Sequence, residues 1–499
     1  MTLNEAIEKL ARLEEANAAY GNAMATLYTD GDTAAPRNSY KGRGKTLAYF
    51  SEVTYKLLVN DETREVLETI LGNRSECDAK TARQAELLKE RLDDITRIPM
   101  AEYVAYQALQ TEASTVWHEA KEKSDYAMFA PFLGKLIDYE RRFAAYKNPD
   151  KPAYDVMLDS YEKGVSMATI DPFFALLRDK LTPVIHAVAA SPAPRTDFLH
   201  RFYPIEQQRR FSDRLMAMMG IDRDCCAIAE TEHPFTNGTN KWDVRITTHY
   251  YENDVANSMY SVIHEGGHAL YELGVADDLQ FTTLAGGATM GLHESQSRFY
   301  ENLIGRSEAF CHALYPVMRE IFPEQMADVT ADELYRGVNM STPSLIRTEA
   351  DELTYAMHVM IRYEMEKLMI SGQAKVDELP ALWNSMYKKY LGVDVPNDRQ
   401  GILQDSHWSG GSFGYFPSYA LGSAYGVQML ANMRKTVDVD AAAAAGDLRP
   451  ITAWLGERIH QYGRLLKPAE LLRNGMDADF DPNCYVAYLT EKFTKLYNL

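Results

Sequence analysis

Helical periodicity runs through this 499-residue chain almost from end to end, and it changes character in one place. Residues 3–28 carry apolar positions at Ile7, Leu10, Leu13 and Ala16 among many alanines and glutamates, with no internal proline. The same period predicts helices over about 47–71, 80–95, 100–147, 155–188, 205–219, 255–274, 290–321, 350–370 and 415–434. Between Cys226 and Tyr251 the pattern alternates instead. Trp242, Val244 and Ile246 share one strand face, Asp243, Arg245 and Thr247 the other, and Asn237-Gly238 is a hairpin signal. Lys41-Gly42-Arg43-Gly44-Lys45 reads as a basic, solvated turn, and Ala441 to Ala445 before Gly446 as a helix end or surface loop. No proline-, glycine- or serine-rich linker and no internal repeat divides the chain. The expected architecture is mostly α, a single large helical domain over 1–499 with a small antiparallel β-sheet just before helix 255–274.

That helix contains His264-Glu265-Gly266-Gly267-His268. Positions i and i+4 lie one above the other on a helix, so both imidazoles reach a single ion. Glu265 sits about a hundred degrees round the helix, within reach of a water at that ion. Two imidazoles, a carboxylate off the metal and an open position make a water-activating zinc site. Val262, Ile263, Gly266, Ala269, Leu270 and Leu273 cluster on the opposite, apolar face. The two central glycines cost roughly 1 kcal/mol each against alanine. Gly267 falls on the front, where a missing side chain leaves room near the metal; Gly266 falls on the back, where it permits close helix packing.

Charge and cysteine usage narrow the function classes. A formal net charge of −19 argues against nucleic acid and against an anionic membrane surface as partners. The five cysteines, Cys77, Cys225, Cys226, Cys311 and Cys484, are odd in number and show no C-x-x-C spacing, which suits a reducing compartment. The start, Met1-Thr2-Leu3-Asn4-Glu5, is not a basic-then-apolar leader, and no apolar run reaches membrane-spanning length. The expected location is the cytoplasm.

A catalytic zinc needs a third protein ligand, and spacing alone leaves Glu272, Asp277, Asp278, Glu294 and Glu301 open. Glu272 points sideways on the same helix and suits an outer position. The segment His293-Glu294-Ser295-Gln296-Ser297-Arg298, following the zinc motif, resembles the thermostable carboxypeptidase Taq family of metallocarboxypeptidases. Four further segments resemble that family's signatures: His233-Pro234-Phe235-Thr236, Asp243-Val244-Arg245-Ile246-Thr247, Ile346-Arg347-Thr348-Glu349-Ala350-Asp351, and Gly401-Ile402-Leu403-Gln404-Asp405-Ser406-His407-Trp408. Their order and the chain length match as well.

The resemblance implies a helical peptidase with a deep substrate groove, the N-terminal helical part (about 1–150) over that groove, and a homodimer acting on peptides. It implies His264, His268 and Glu294 as ligands of one zinc ion per subunit, with cobalt or manganese also accepted by such ligands, and Glu265 as general base. For the oxyanion we expect His407, Tyr415 and Tyr419 as donors. A carboxypeptidase must also receive a free carboxylate, for which Arg347 is the first choice; an ion pair to Asp351, one turn later, is its structural alternative. Arg245 and Gln404 are expected along the substrate path, Arg245 at the groove's far end. The alternatives are a zinc oligopeptidase or dipeptidyl carboxypeptidase, or an inactive peptide-binding scaffold.

Overall fold

The computed structural model describes residues 1–499. Four helices form an N-terminal layer: α1 (Leu3–Thr33), α2 (Tyr40–Leu58), α3 (Asp61–Gly72) and α4 (Ala79–Thr96). Thr2 opens α1 with a reciprocal capping box, its hydroxyl accepting from Glu5 N while the Glu5 carboxylate accepts from Thr2 N. Residues 41–45 lie inside α2, not in a turn: its exposed face tolerates two glycines in the company of good helix formers. Leu10, Leu58, Leu67, Ile70 and Leu88 give this layer a small core of its own. Unlike these four helices, α5 (Met100–Lys123) and α6 (Tyr126–Lys147) bury Leu109, Trp117, Phe129 and Leu136 in the main core.

Polar contacts tie the layer to the rest. The buried Glu14 carboxylate accepts from Thr283 N and Oγ1, and Asn237 Nδ2 donates to Thr29 Oγ1 at 2.7 Å.

The main body continues with α7 (Ala153–Tyr161), α8 (Met167–Ala189) and α9 (Ile205–Met219), then β1 (Cys226–Glu230), β2 (Thr236–Asn240) and β3 (Asp243–Thr248). The strand order is β1-β3-β2, and the sheet is mixed where an antiparallel one was expected. β2 pairs antiparallel with β3 (Thr236 opposite Ile246), but β1 runs parallel to it (Cys226 opposite Val244). The reason lies in residues 231–235. They wrap the Thr247 hydroxyl, which accepts from Phe235 N, and carry the chain from one side of β3 to the other. Asn237-Gly238 sits within β2; the turn falls at Asn240, whose Oδ1 accepts from Trp242 N. Val244 and Ile246 are fully buried against the next helix, whereas Trp242 is exposed at the turn.

The remaining helices are α10 (Val255–Leu273), α11 (Met290–Arg298, followed by a π-helical stretch Phe299–Ile304), α12 (Glu308–Ile321), α13 (Ala331–Val338), α14 (Tyr355–Ser371) and α15 (Leu379–Leu391). After them come α16 (Pro417–Met433), α17 (Val439–Ala444), α18 (Arg449–Arg458), α19 (Pro468–Met476) and α20 (Asn483–Tyr497). The alanine run thus forms the short α17, stopped by Gly446 in the left-handed region. α10, α11, α14 and α16 are almost wholly buried, so the functional segments occupy the centre of one large core. No helix is long and apolar enough to cross a membrane.

Candidate active site

The chemistry of α10 rests on how closely its neighbours approach. Asp254 caps its N-terminus through Asn257 N. At Gly266, an added Cβ would lie 2.7 Å from Met219 Cε of α9; at Gly267 it would lie 2.7 Å from the Gln296 carbonyl oxygen and the Ser297 Cα. Gly266 packs on the back as expected. Gly267 makes room not for an ion but for the backbone of α11. On the far side of α11, a Cβ at Gly422 of α16 would come within 2.9 Å of Glu294 Cβ and of the Gly291 carbonyl. α11 is thus pressed between two helices at glycines, and Glu294 is carried towards His264 and His268.

The three side chains offer ligand atoms that all lie within 4.8 Å of one another. Glu294 Oε2 is 3.9 Å from His264 Nε2 and 3.6 Å from His268 Nε2. Ligands about 2.0–2.1 Å from a shared tetrahedral ion stand about 3.3 Å apart, so small movements suffice to bind one.

The outer contacts are those of a ligand set. His264 Nδ1 bonds Glu301 Oε2 at 2.8 Å, leaving Nε2 for an ion. His268 Nδ1 meets His293 Nδ1 at 2.6 Å, and His293 Nε2 meets Glu272 Oε1 at 2.7 Å. A proton on His268 Nδ1 and another on His293 Nε2 satisfy both bonds and free His268 Nε2. Arg298 donates from Nε to Glu294 Oε1 at 2.8 Å and from Nη1 to Glu301 Oε2 at 3.1 Å, turning Glu294 Oε2 towards the imidazoles. Buried carboxylates and imidazoles arranged this way fit a divalent metal. Glu265 is 7% exposed; its Oε2 accepts from Thr236 Oγ1 of β2 at 2.6 Å, and burial raises its carboxyl pKa. His264 and Glu265 line a cavity of about 550 Å³ with Arg298, Tyr260 and Asp351.

A second cavity of about 460 Å³ is lined by His407, Tyr415 and Tyr419 with Trp117, Ser409 and Ser412. Tyr419 precedes Gly422 by one turn on α16, His407 Nε2 lies 3.4 Å from Tyr419 Oη, and the Tyr415 and Tyr419 rings meet edge to face at 5.1 Å. Burial, with Arg347 and Arg362 nearby, lowers the His407 pKa to about 4, against the pull of Asp405.

Arg347 stands beside Tyr419, its guanidinium carbon 4.9 Å from the ring centre. It is 5% exposed, donates from Nε and Nη2 to Asp405 Oδ1 at 3.0 and 2.9 Å, and from Nη1 to Tyr355 Oη at 2.9 Å. Asp351 is not its partner: that carboxylate accepts from Ser341, Thr342, Leu353 and Thr354 instead. Gln404 faces inward. Its Oε1 accepts from Arg347 N and Arg362 Nη2, and its Nε2 donates to the Leu345 and Gly401 carbonyls, so it braces the arginines. Arg245 is paired with Asp243 on β3, opposite Asn237 and on the face away from Val244 and Ile246, and it lines neither cavity.

Sequence reasoning missed Tyr355, which connects the two groups: its ring lies 4.3 Å from the Arg298 guanidinium and its hydroxyl accepts from Arg347. Nothing in its sequence context marks it. Thr236, His293, Arg298 and Asp405 all fell inside segments already singled out, without a role, and Glu301, open as a third ligand, instead accepts from His264 Nδ1.

Comparison with known proteins shows the family. Residues 9–493 match the family model described as Carboxypeptidase Taq (M32) metallopeptidase. The chain is 39% identical to carboxypeptidase 1 of Bacillus subtilis over 96% of each sequence. It is 34% identical to thermostable carboxypeptidase 1 of Pyrococcus furiosus, with 98% of this chain and 99% of that protein covered. The crystal structure of a carboxypeptidase from Deinococcus radiodurans superposes with a TM-score of 0.96 at 33% identity, covering 99% of this chain and all of that one. Fold and site define a metal-dependent peptide hydrolase. The chain belongs to the carboxypeptidase Taq family and is a metallocarboxypeptidase.

Gly267→Ala sets a methyl group against the α11 backbone. It should destabilise the fold by about 1–3 kcal/mol and weaken metal binding, read by denaturant unfolding and competition with a chelating dye. Wild-type values in both would show that this contact does not set the site.

Proposed function

We propose that the chain removes single residues from the C-terminus of peptides, with zinc held by His264, His268 and Glu294. The supporting observation is the convergence of Glu294 Oε2 on two imidazole Nε2 atoms whose Nδ1 atoms are already committed. Zinc in such a site polarises the scissile carbonyl and lowers the pKa of its water; cobalt or manganese suits the same donors.

The chain's own residues do the rest. Thr236 holds Glu265 Oε2, leaving Oε1 to take the proton of the attacking water and return it to the departing amine nitrogen. His407, neutral above about pH 4, and the hydroxyls of Tyr415 and Tyr419 supply donors for the developing oxyanion. Arg347 receives the substrate's terminal carboxylate. A guanidinium has five N–H donors, and the internal bonds from Nε, Nη1 and Nη2 leave one N–H on each η nitrogen for a ligand. Asp405 and Tyr355 orient it, and burial makes the charge pair strong. Gln404 acts behind Arg347. Arg245, with Asp243, belongs to the sheet that flanks the groove and limits how far substrate extends.

The free cysteines suit a reducing cytoplasm, and the family resemblance suits a homodimer. An oligopeptidase is the less favoured reading, since a buried arginine beside the oxyanion donors serves a terminal carboxylate.

Glu265→Gln should keep its metal yet lose about a thousandfold in kcat, measured on an N-blocked dipeptide; normal turnover would refute the base assignment. Arg347→Ala should abolish most of the preference for free over amidated C-termini, costing about 2–5 kcal/mol of discrimination in paired kcat/KM measurements. An unchanged preference would remove Arg347 from the carboxylate site.

A further inference from the structure

Glu366 lies on α14, fully buried, and its carboxylate accepts three bonds: from Trp408 Nε1 at 2.7 Å, Gly414 N at 2.8 Å and Tyr154 Oη at 2.8 Å. Trp408 and Gly414 bracket one compact turn, and the residues just outside the bracket are His407 and Tyr415. One helical turn earlier, Arg362 donates to Asp405 Oδ2 at 2.6 Å and to Gln404 Oε1 at 2.7 Å. A cation and an anion on one face of α14 therefore hold the segment 404–414 at successive points.

The turn has no freedom on its other side. Gly414 adopts φ +86°, and a Cβ there would lie 2.8 Å from the Met157 carbonyl carbon of α7, the helix that carries Tyr154. Nothing but glycine fits that backbone, and Glu366 satisfies its N–H.

An ionised carboxylate without a paired cation is costly to bury. Arg362 is committed to Asp405, Gln404, the His358 carbonyl and Tyr387, so Glu366 relies on neutral donors alone. Burial accordingly pushes its carboxyl up to about 7. A neutral side chain would fill this place at lower cost, but no neutral side chain accepts from an indole N–H, an amide N–H and a phenol together. We infer that Glu366 is a positioning residue for the peptidase reaction: by gripping Trp408 and Gly414 it holds His407 and Tyr415 at the scissile peptide. The inference rests on the reading that those two side chains act on substrate.

Glu366→Gln keeps the size but puts an NH₂ where one of the donors now points. In the zinc-loaded enzyme, kcat on an N-blocked dipeptide should fall about a hundredfold, the scale of a 1 Å misplacement. KM should stay within about twofold, zinc per chain should be unchanged, and amide exchange should rise only in the peptide spanning 405–416. Trp408→Phe, which removes one donor and leaves the carboxylate, should lower kcat in the same direction. His407→Ala and Tyr415→Phe separate the two claims. If they leave kcat intact, the oxyanion reading fails. If they lower kcat while Glu366→Gln and Trp408→Phe do not, Glu366 holds nothing that catalysis needs. Loss of zinc and global unfolding in both Glu366→Gln and Trp408→Phe would make its role structural and overturn the inference.

Discussion

The close approach of three helix backbones at glycines is the constraint on which the rest depends. Gly267 admits α11 against α10, and Gly422 admits α16 against the other side of α11. Glu294 lies between these contacts, so its side chain has one direction to take. Packing this tight transmits displacement, because interiors have little void to absorb it. A methyl group added at Gly267 or Gly422 would press on α11 and on the placement of Glu294, which accounts for a poor helix former at each of these contacts.

From Glu294 a continuous line of charge and ring contacts runs outward. Arg298 bonds Glu294 and Glu301 and lies against Tyr355; Tyr355 accepts from Arg347; Arg347 and Arg362 share Asp405. Asp405 stands well below the usual carboxylate range: burial opposes this, but the two guanidinium groups overcome it. The proposed metal ligand Glu294 and the proposed carboxylate-binding Arg347 are thus joined in one buried network. Such an arrangement suits the proposed hydrolysis at a fixed distance from a terminal carboxylate, with Arg347 proposed to set that distance.

Much of this was legible in the residues. The i, i+4 imidazoles, the intervening glutamate, the apolar back of α10 and the helical character of the chain follow from periodicity alone. Glu294 did not: spacing left five carboxylates open, and a motif resemblance selected the one that α11 brings near. Tyr355 had no local signal because its role exists only once Arg298 of α11 and Arg347 meet on either side of it. Asn237-Gly238 misled, since its turn propensity is overridden by an anchor to α1 and a glycine pressed against Glu272. Residues 379–391 carry Leu379, Trp383, Tyr387 and Leu391 at helical spacing, and Pro380 marks a helix start rather than a break. α18 and α19 escaped for a similar reason, Pro450 and Pro468 standing at their first turns.

The central claim is that Glu294 completes the ligand set begun by His264 and His268. Elemental analysis of dialysed protein tests it most directly, comparing the native chain with Glu294→Ala under identical zinc loading and with circular dichroism to monitor the fold. The account predicts about one zinc per native chain and nearly none in a variant that remains helical. A folded Glu294→Ala protein that retains stoichiometric zinc would contradict it.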